Sequence, residues 1–504
     1  MNKKLISNIV LGAALSMAGT IGLHAQSSIL FTNGAEGAVW SDENNWQGGT
    51  KPGSSQSAAI NGNSGQNSQV DEDFSIAGII FSGSTGRTVV VNSGIKLKLF
   101  GSTLLNNAGN QSFSISGTGQ VELNASGIVN VTNASRGLSV SAQIVETGGS
   151  RSITKQGAGT FNLNNLNTHT FSGGVIIEEG GVSVNTSSSG SANAPTAGPL
   201  GTGTITLAGG ALYYRGSSDG TLHNALKITA DSTIGDSADG RRNITFLGDV
   251  DLSGGVRTLT IDQHNPNILN RRVYFSGVVS NGGLIKRGIG SLELRGNNTY
   301  SGDTVIENGQ LTLATTGAIS SSGTIAIQSS GDFNVVNFYE LAENQVVTGD
   351  GKITGNLRIG QGVLRPGDGV GKLTISADTY FHTAGTIEFE LGVVSDQLVF
   401  TGDAFSLQGN STGLMKIRLF DLGVENSGTF VLMDTSGLTN ATFSNWGLQA
   451  FTLESLPTGW DGELAMDGNN LVFHLNTIPE PGATLLLGIG LAGFGCCRRK
   501  QRNR

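Results

Sequence analysis

Two stretches of this chain repeat one pattern, in which a pair of glycines is followed by apolar residues at every second position. The stretches are residues 153–184 and 284–313. Their matched positions are Lys155, Gly157, Gly159, Leu163, Ile177 and Gly180 in the first and Lys286, Gly288, Gly290, Leu294, Ile306 and Gly309 in the second. Period-two alternation places apolar side chains on one face of a strand, and glycine supplies turn conformations that other residues resist. One such unit cannot bury its apolar face, whereas stacked units share a core, so the pattern predicts a solenoid.

Weaker copies extend the pattern over most of the chain. A Gly-x-Gly pair followed by alternation recurs at residues 117–123 and 200–207, and a related glycine-rich segment occupies residues 355–367. Apart from a short candidate at residues 339–344, no segment of the body has a convincing helical pattern. We therefore expect an all-β body, wound as a right-handed parallel β-helix (β-solenoid). A row of antiparallel β-sandwiches fits the same alternation and stays open as an alternative.

The expected domain organisation follows from where the repeat signature starts and stops. Residues 26–369 are expected to form the solenoid, with a loop inserted at residues 185–199, which are rich in serine, alanine and glycine. Residues 370–475 keep the alternation but lose the signature. They are expected to be either the cap of the solenoid or a small separate β-domain.

Residues 1–25 have the features of a secretory signal peptide. Two lysines precede an uncharged apolar stretch from Ile9 to Leu23, and the small Ala25 precedes Gln26. A basic start, a short apolar core and a small residue, in that order, mark a cleaved export signal. We expect cleavage between Ala25 and Gln26. A retained anchor is the alternative, although its apolar stretch is short for a membrane span.

Residues 478–504 combine three features in a fixed order. The motif Pro479-Glu480-Pro481 precedes an uncharged segment rich in glycine and leucine, residues 482–497, and a basic cluster follows. As a helix the segment would measure about 24 Å. We expect it to be a single transmembrane helix with the cluster on the cytoplasmic side of the inner membrane. The basic cluster consists of Arg498, Arg499, Lys500, Arg502 and Arg504.

The tail and the repeats each resemble a known family. The Pro-Glu-Pro motif, the apolar span and the arginine-rich end resemble a PEP-CTERM sorting signal. This resemblance implies that an exosortase-type membrane protease or transpeptidase recognises the motif and processes the tail during surface sorting. The Lys-x-Gly-x-Gly-x-Leu-x-Leu pattern resembles the autotransporter-associated β-strand repeat, nearly complete in residues 284–313 and looser at residues 164–170. Because PEP-CTERM systems are associated with exopolysaccharide, the resemblance also implies a place in an extracellular matrix or biofilm.

Composition argues against several classes of function. Without residues 1–25 and 478–504, the chain has 23 basic and 37 acidic residues, a net charge of −14. An acidic body argues against nucleic-acid binding, which requires a basic face. Both cysteines, Cys496 and Cys497, lie in the tail. The body therefore has neither a disulfide nor a cysteine-zinc site.

No set of residues has the pattern of a catalytic or cofactor site. The six histidines are dispersed without metal-ligand spacing, and no nucleophile elbow or phosphate loop is recognisable. Glu388 and Glu390 lie roughly 7 Å apart on one strand face. That distance fits a pair of glycosidase carboxylates, but a solvated strand face is the more frequent explanation. Four aspartates offer oxygen ligands for calcium without the spacing of a calcium loop, namely Asp231, Asp236, Asp239 and Asp249.

Two aromatic groups are candidates for stacking on sugar rings. One is Trp40 with Trp46, and the other is Tyr213 and Tyr214 with Arg215. The plainer interpretation places half of each group in the core and half at an exposed edge.

The sequence as a whole favours an exported, surface-sorted structural or adhesive protein associated with extracellular polysaccharide or biofilm matrix. We expect no enzymatic activity, no cofactor, no metal site and no nucleic-acid partner. The expected partners are an exosortase, exopolysaccharide and the membrane, reached through helix 482–497. The chain would cross the inner membrane, stay anchored by that helix, and reach the cell surface or the extracellular space after processing. The alternative is a polysaccharide lyase or hydrolase, since β-helices also carry such enzymes.

Overall fold

The computed structural model describes residues 27–32, 38–62, 67–164, 168–235, 242–262, 272–376, 380–382, 385–402, 406–408, 414–438 and 448–477. Within these residues almost every element is a β-strand, because short alternating segments are separated by glycine turns. The helical elements of this part of the chain are single 3₁₀ turns at Glu43–Asn45, Gln47–Gly49 and Leu448–Ala450.

The strands are numbered in chain order. The first group is β1 Ser28–Phe31, β2 Ser57–Asn61, β3 Ser68–Val70, β4 Phe74–Ile76, β5 Gly78–Ser82, β6 Thr88–Val91, β7 Lys96–Leu99, β8 Thr103–Asn107, β9 Phe113–Ser116, β10 Gln120–Leu123, β11 Gly127–Val131, β12 Gly137–Val140, β13 Gln143–Glu146, β14 Ile153–Gln156 and β15 Thr160–Leu163. The second is β16 Val175–Ile177, β17 Gly181–Val184, β18 Ser189–Ser191, β19 Ala194–Ala197, β20 Ile205–Leu207, β21 Ala211–Tyr214, β22 Gly220–Leu222, β23 Leu226–Ile228, β24 Ser232–Gly235, β25 Ile244–Phe246, β26 Val250–Ile261, β27 Arg272–Phe275, β28 Val279–Arg287, β29 Ser291–Leu294 and β30 Thr304–Leu313. The third is β31 Thr324–Glu340, β32 Val346–Gly349, β33 Lys352–Arg358, β34 Val363–Pro366, β35 Lys372–Ser376, β36 Tyr380–His382, β37 Thr386–Leu391, β38 Gln397–Gly402, β39 Ser406–Gln408, β40 Met415–Asp421, β41 Gly428–Leu438, β42 Phe451–Ser455, β43 Asp461–Asp467 and β44 Asn470–Thr477.

These strands pair in parallel with strands one coil further along the chain. Ile153 lies beside Val175, and Leu284 lies beside Thr304. Parallel neighbours require the chain to return to the same end before each new strand, so repeated parallel pairing winds it into a coil. Ladder A contains β2, β5, β8, β11, β14, β16, β20 and β23, and ladder B contains β3, β6, β9, β12, β15, β17, β21 and β24. A third set contains β4, β7, β10 and β13 near the N-terminus and β22, β25, β27 and β29 in the middle.

This topology confirms the predicted all-β parallel solenoid, while its right-handed sense stays a prediction. The row of antiparallel sandwiches is wrong for the part of the chain that the structure describes. There, antiparallel strand pairs occur only between β18 and β19 and among β41, β43 and β44. The sequence alternation was compatible with both folds because it reports which face of a strand is buried, not the direction of its neighbour.

A continuous apolar core runs along the inside of the coil. In β30, Leu311 and Leu313 are buried, as the alternation predicts, and the outward-facing Gln310 is only partly covered. The same inward position is stacked from coil to coil, because parallel pairing aligns equivalent residues. In ladder B the resulting row consists of Phe113, Leu138, Phe161, Val182, Leu212 and Ile234.

An aromatic cluster closes the core near its N-terminal end. Trp40 and Trp46 are both buried, with ring centroids 5.2 Å apart in an edge-to-face arrangement, and Phe31 and Phe74 pack against them. The expectation that one tryptophan of this pair would be exposed is therefore wrong. The two indole rings cover the apolar end of the core at the first described coil, because no described coil precedes it to cover that surface.

At the other end, the parallel ladder continues across residue 370. β33 pairs with β35, and β35 pairs with β38, all in parallel. The ladder then ends where β41 pairs with β44 in antiparallel orientation, and β44 with β43. The parallel pairing is thus continuous across residue 370, and the role of residues 370–475 as cap or separate β-domain stays a prediction.

Two local expectations need correction. Residues 185–199 do leave the coil, but they contain the antiparallel hairpin β18–β19 rather than loop alone. The short helix expected at residues 339–344 is wrong, because Tyr339 lies in β31, beside Leu357 of β33. Its apolar residues, Tyr339 and Leu341, are both buried two positions apart, which is strand periodicity.

Candidate binding groove

The site residues expected from the two ends of the chain lie outside the described residues. They are Ala25 and Gln26 at the cleavage site, the motif Pro479-Glu480-Pro481, the span 482–497, and the basic residues Arg498, Arg499, Lys500, Arg502 and Arg504. Among the helices that the structure does describe, none has the length and apolar character needed to cross a membrane.

Each copy of the repeat buries its lysine. Lys286 is fully buried, and its Nζ donates to the carbonyl oxygens of Arg287 (3.2 Å), Gly288 (2.7 Å) and Asn308 (2.8 Å). Lys155 is also fully buried and donates in the same way to the carbonyl oxygens of Gln156, Gly157 and Glu179. The third acceptor in each copy belongs to the following coil. The repeat lysine therefore joins its own glycine turn to the next turn of the solenoid.

Burial lowers the pKa of Lys286 to about 7 and that of Lys155 to about 8, because the ammonium loses its contact with water. In the unfolded chain these lysines hold their proton up to a pH of about 10.5. Between about pH 7 and pH 10, unfolding therefore takes up a proton at Lys286, so the free energy of unfolding should rise with pH in this window. We expect Lys286→Met to lose that rise in urea titrations at pH 7, 8, 9 and 10.

The exposed Lys352 of β33 is the matched control, because Lys352→Met removes a charge that water already solvates. It should leave the difference between pH 7 and pH 10 unchanged. Equal pH dependence in the wild type and in Lys286→Met would show that the buried lysine stays protonated throughout this range.

Glu388 is held in place by ion pairs. Its side chain is only 8% exposed and accepts from Arg365 and from Arg418, whose Nη1 lies 3.3 Å from Oε1. The second carboxylate, Glu390, is half-buried, and its backbone N–H donates to Asp396. The solvated face expected for this pair is therefore wrong for Glu388. Both of its oxygens are occupied, which also leaves it poorly placed as one half of a catalytic pair.

Two of the four aspartates considered for calcium are described, and both link neighbouring coils. Asp231 accepts from the backbone N–H of Thr258 at 2.8 Å. Asp249 accepts from the backbone N–H of Val278 at 2.8 Å and from the side chain of Asn193 at 2.9 Å. Asp236 and Asp239 lie outside the described residues. Within the described ranges, no three His, Cys, Asp or Glu side chains are grouped so as to hold a metal ion.

A groove of about 370 Å³ lies on the outer surface of ladder B. Gly137, Thr160 and Gly181 lie side by side along it, in the adjacent strands β12, β15 and β17. Tyr213 and Arg215 line it at and just beyond the end of β21. Outward positions need not fill the core, so small residues are tolerated there. Where these residues align in register on neighbouring strands, they leave a continuous depression.

Because Gly181 has no side chain, the Tyr213 ring can lie directly against the backbone of Gly181. A Cβ atom at Gly181 would stand 2.1 Å from Cε2 of the Tyr213 ring, so a larger residue would displace the ring. The Arg215 guanidinium lies 5.6 Å from the ring centroid. Burial raises the pKa of the Tyr213 phenol, although Arg215 acts in the opposite direction. The groove therefore contains a neutral, half-buried aromatic ring beside a cation.

The two tyrosines have separate environments. Tyr214 is 2% exposed, and its hydroxyl donates to the carbonyl oxygen of Ser218 at 2.9 Å. Tyr213 lines the groove and is half-buried, so the expected core position holds for Tyr214, whereas Tyr213 is only partly exposed. Arg136, also in the lining, comes from a distant coil, and no sequence pattern linked it to Tyr213.

The comparisons with known proteins bear on the repeats and on the tail. The family model for the passenger-associated-transport-repeat matches residues 153–184 and 284–313, and that for the PEP-CTERM protein-sorting motif matches residues 477–500. The two repeat matches coincide with the coils that bury Lys155 and Lys286.

Parts of the chain are similar in sequence to an adhesin autotransporter and to an extracellular protease. The chain is 27% identical over 268 residues to the adhesin BmaC autotransporter of Brucella suis biovar 1, an alignment covering 50% of this chain and 7% of that protein. It is 31% identical over 114 residues to an extracellular serine protease of Serratia marcescens, covering 23% of this chain and 9% of the protease. The chain therefore spans less than a tenth of either relative.

Among solved structures, the Haemophilus influenzae Hap adhesin matches with a TM-score of 0.21 and 10% sequence identity, over 84% of this chain and 64% of that chain. This similarity is too low to establish the fold, which is established by the strand pairing. Together with the family matches, that pairing identifies a parallel β-solenoid that carries two passenger-associated-transport-repeats and a C-terminal PEP-CTERM protein-sorting motif.

Proposed function

We propose that this chain is an exported, surface-sorted structural or adhesive protein that associates with extracellular polysaccharide in a matrix or biofilm. The single observation that carries the proposal is the combination of a long repeat solenoid with a PEP-CTERM motif. A stack of coils presents an extended surface to a partner, and its stability grows by adding coils. The adhesin among the relatives supports the same class of function.

In this proposal the ends of the chain act in sequence. The signal peptide is removed after Ala25, the helix 482–497 holds the chain in the inner membrane, and an exosortase-type enzyme recognises Pro479-Glu480-Pro481. The basic cluster stops transfer and stays in the cytoplasm. Processing of the tail then yields a surface or extracellular protein.

Mass analysis of the protein from its native cells tests the tail. We expect the mature C-terminus to lie between Pro479 and Gly482, free or covalently modified, because the sorting motif marks the processing region. Replacing Pro479, Glu480 and Pro481 together by alanine should leave a chain that still ends at Arg504 and stays in the membrane fraction. Finding Arg504 on the wild-type mature protein would reduce the tail to a plain anchor.

Deletion of the gene tests the matrix role separately. Cells lacking the chain should retain less extracellular polysaccharide in washed biofilms, and the wild-type gene supplied in trans should restore it. Unchanged polysaccharide retention in the deletion strain would contradict the matrix role, whatever the fate of the tail.

A further inference from the structure

The groove on ladder B has a charge that differs from that of the body around it. Among the described residues, its lining includes Arg136 and Arg215 and no acidic residue, whereas the exported body has a net charge of −14. Asp262 lies outside the lining but acts electrostatically on Tyr213. Arg136 is exposed and forms no ion pair with any described residue. An arginine of this kind provides a planar set of donors suited to carboxylate. The groove therefore favours an anionic ligand.

The groove also has the shape expected for a chain-like ligand. Its lining reaches from Ser112 of the turn before β9 to Tyr213 of β21, across five adjacent coils. At a strand separation of about 4.8 Å, the span is roughly 19 Å. Its volume lies within the range of about 300–1,000 Å³ that small-molecule sites occupy. An open depression of this length suits several linked units better than one compact molecule.

Besides the two arginines and Tyr213, the polar side chains of the lining are uncharged, namely Ser112, Ser135, Thr160 and Asn162. Asn162 lies opposite Ser139 in one neighbouring strand and Ser183 in the other, and Ser183 lies opposite Tyr213. Ser183 is fully buried, and its hydroxyl has no hydrogen-bond partner among the residues that the structure describes. Ser183 does not line the groove, so the uncharged contacts for a ligand come from the hydroxyl of Thr160 and the amide of Asn162. Hydroxyl and amide groups next to an aromatic ring match the hydroxyls and the apolar face of a sugar.

We propose that this groove binds a segment of an acidic polysaccharide, with one sugar ring against Tyr213, one uronate carboxylate beside Arg215 and the carboxylate of another unit, further along the groove, beside Arg136. The inference deepens the proposed function and rests on it, since it names the class of polysaccharide and the place on the solenoid that holds it. The uncharged side chains of Thr160 and Asn162 bind sugar hydroxyls along the groove.

Calorimetric titration of the mature protein tests the groove. The probes are hexasaccharides of galacturonate, of mannuronate and of hyaluronan, with maltohexaose as the neutral control. We expect at least one acidic hexamer to bind, maltohexaose to bind more weakly, and the acidic affinity to fall as salt rises from about 0.05 to about 0.5 M, because ion pairing is screened. Equal affinity for neutral and acidic hexamers, or binding of none of the three acidic probes, would overturn the proposal.

Substitutions at Arg136 and Tyr213, each with a control variant, locate the binding on the surface. Arg136→Gln should weaken the binding of the acidic hexamer by about tenfold, the usual worth of a charge-assisted hydrogen bond. Arg136 is exposed, so its replacement should leave the fold intact. Lys352→Gln changes charge equally on β33 and should have no effect. Tyr213→Ala should also weaken binding while Tyr213→Phe preserves it, since the ring is what contacts the sugar.

The outcomes separate the groove from the wider function. Unchanged affinity in Arg136→Gln would overturn the groove assignment. If cells carrying Arg136→Gln also retained normal polysaccharide, while the deletion strain lost it, the matrix role would stand and another surface would have to provide it. If both the Arg136→Gln strain and the deletion strain retained normal polysaccharide, the matrix role itself would be contradicted.

Discussion

Replacing Gly288 by alanine is expected to lower the local free energy of unfolding by roughly 3 kcal/mol or more, the range of severe backbone disruptions. Gly288 has a φ of +82°, which L side chains rarely adopt. A Cβ atom there would also stand 2.4 Å from the carbonyl oxygen of Ile261 in the preceding coil. That oxygen belongs to the backbone, so the clash is relieved only if two coils separate. Hydrogen exchange of β26 and β28, read by mass spectrometry, measures the loss.

Gly94 is the matched control for the clash. Its φ of +79° is nearly the same, but no described atom lies within 4 Å of the place that a Cβ would occupy, so Gly94→Ala adds conformational strain alone. We expect this variant to cost about 1–2 kcal/mol. If Gly288→Ala and Gly94→Ala had equal effects, the close approach of stacked coils would contribute nothing, and only backbone conformation would explain the repeat glycine.

Much of this architecture could be predicted from local pattern. The alternation of Leu311 and Leu313 with Gln310 predicts which face is buried, because period two is a property of any strand. The glycines predict the turns for the same local reason. What the pattern does not contain is the partner of each strand, so it could not decide between parallel coils and antiparallel sandwiches.

The buried lysines show a second limit. Lysine is rarely buried, so a lysine on a strand is expected at the surface. Yet Lys155 and Lys286 occupy the same position in the two repeats, two residues before a glycine. This recurrence was the one sequence feature that indicated a shared structural role for the two lysines. Their role depends on carbonyl oxygens of the next coil, which only the stacking brings within reach.

The groove was less predictable than the coil. The nearness of Tyr213 and Arg215 in sequence indicates a shared face, because both occupy outward positions two apart. Arg136 and Asn162 come from earlier coils, and their distance from Tyr213 depends on the register of β12, β15, β17 and β21. Coil lengths vary along the chain, with the β18–β19 hairpin inserted in one of them, so that register could not be counted from the sequence.

Removing the Trp46 ring is expected to unfold the first coils selectively. Trp46 is 2% exposed, its ring lies 5.0 Å from Phe31 and 5.2 Å from Trp40, and its Nε1 donates to the carbonyl oxygen of Trp40 at 2.9 Å. Large-to-small changes at such buried aromatic sites cost about 3–5 kcal/mol. Trp46→Ala should therefore lower hydrogen-exchange protection in β1, β2 and β3.

The solenoid predicts where this damage stops. Each coil contacts mainly its neighbours, so stability is a sum of local terms and a defect at one end is not felt at the other. Strands β31 to β35 should keep their protection in Trp46→Ala, and Trp46→Phe, which retains a ring, should lose less than the alanine variant. A uniform loss of protection along the whole chain would instead mean that the coils unfold as one cooperative unit, with the aromatic cluster stabilising all of them.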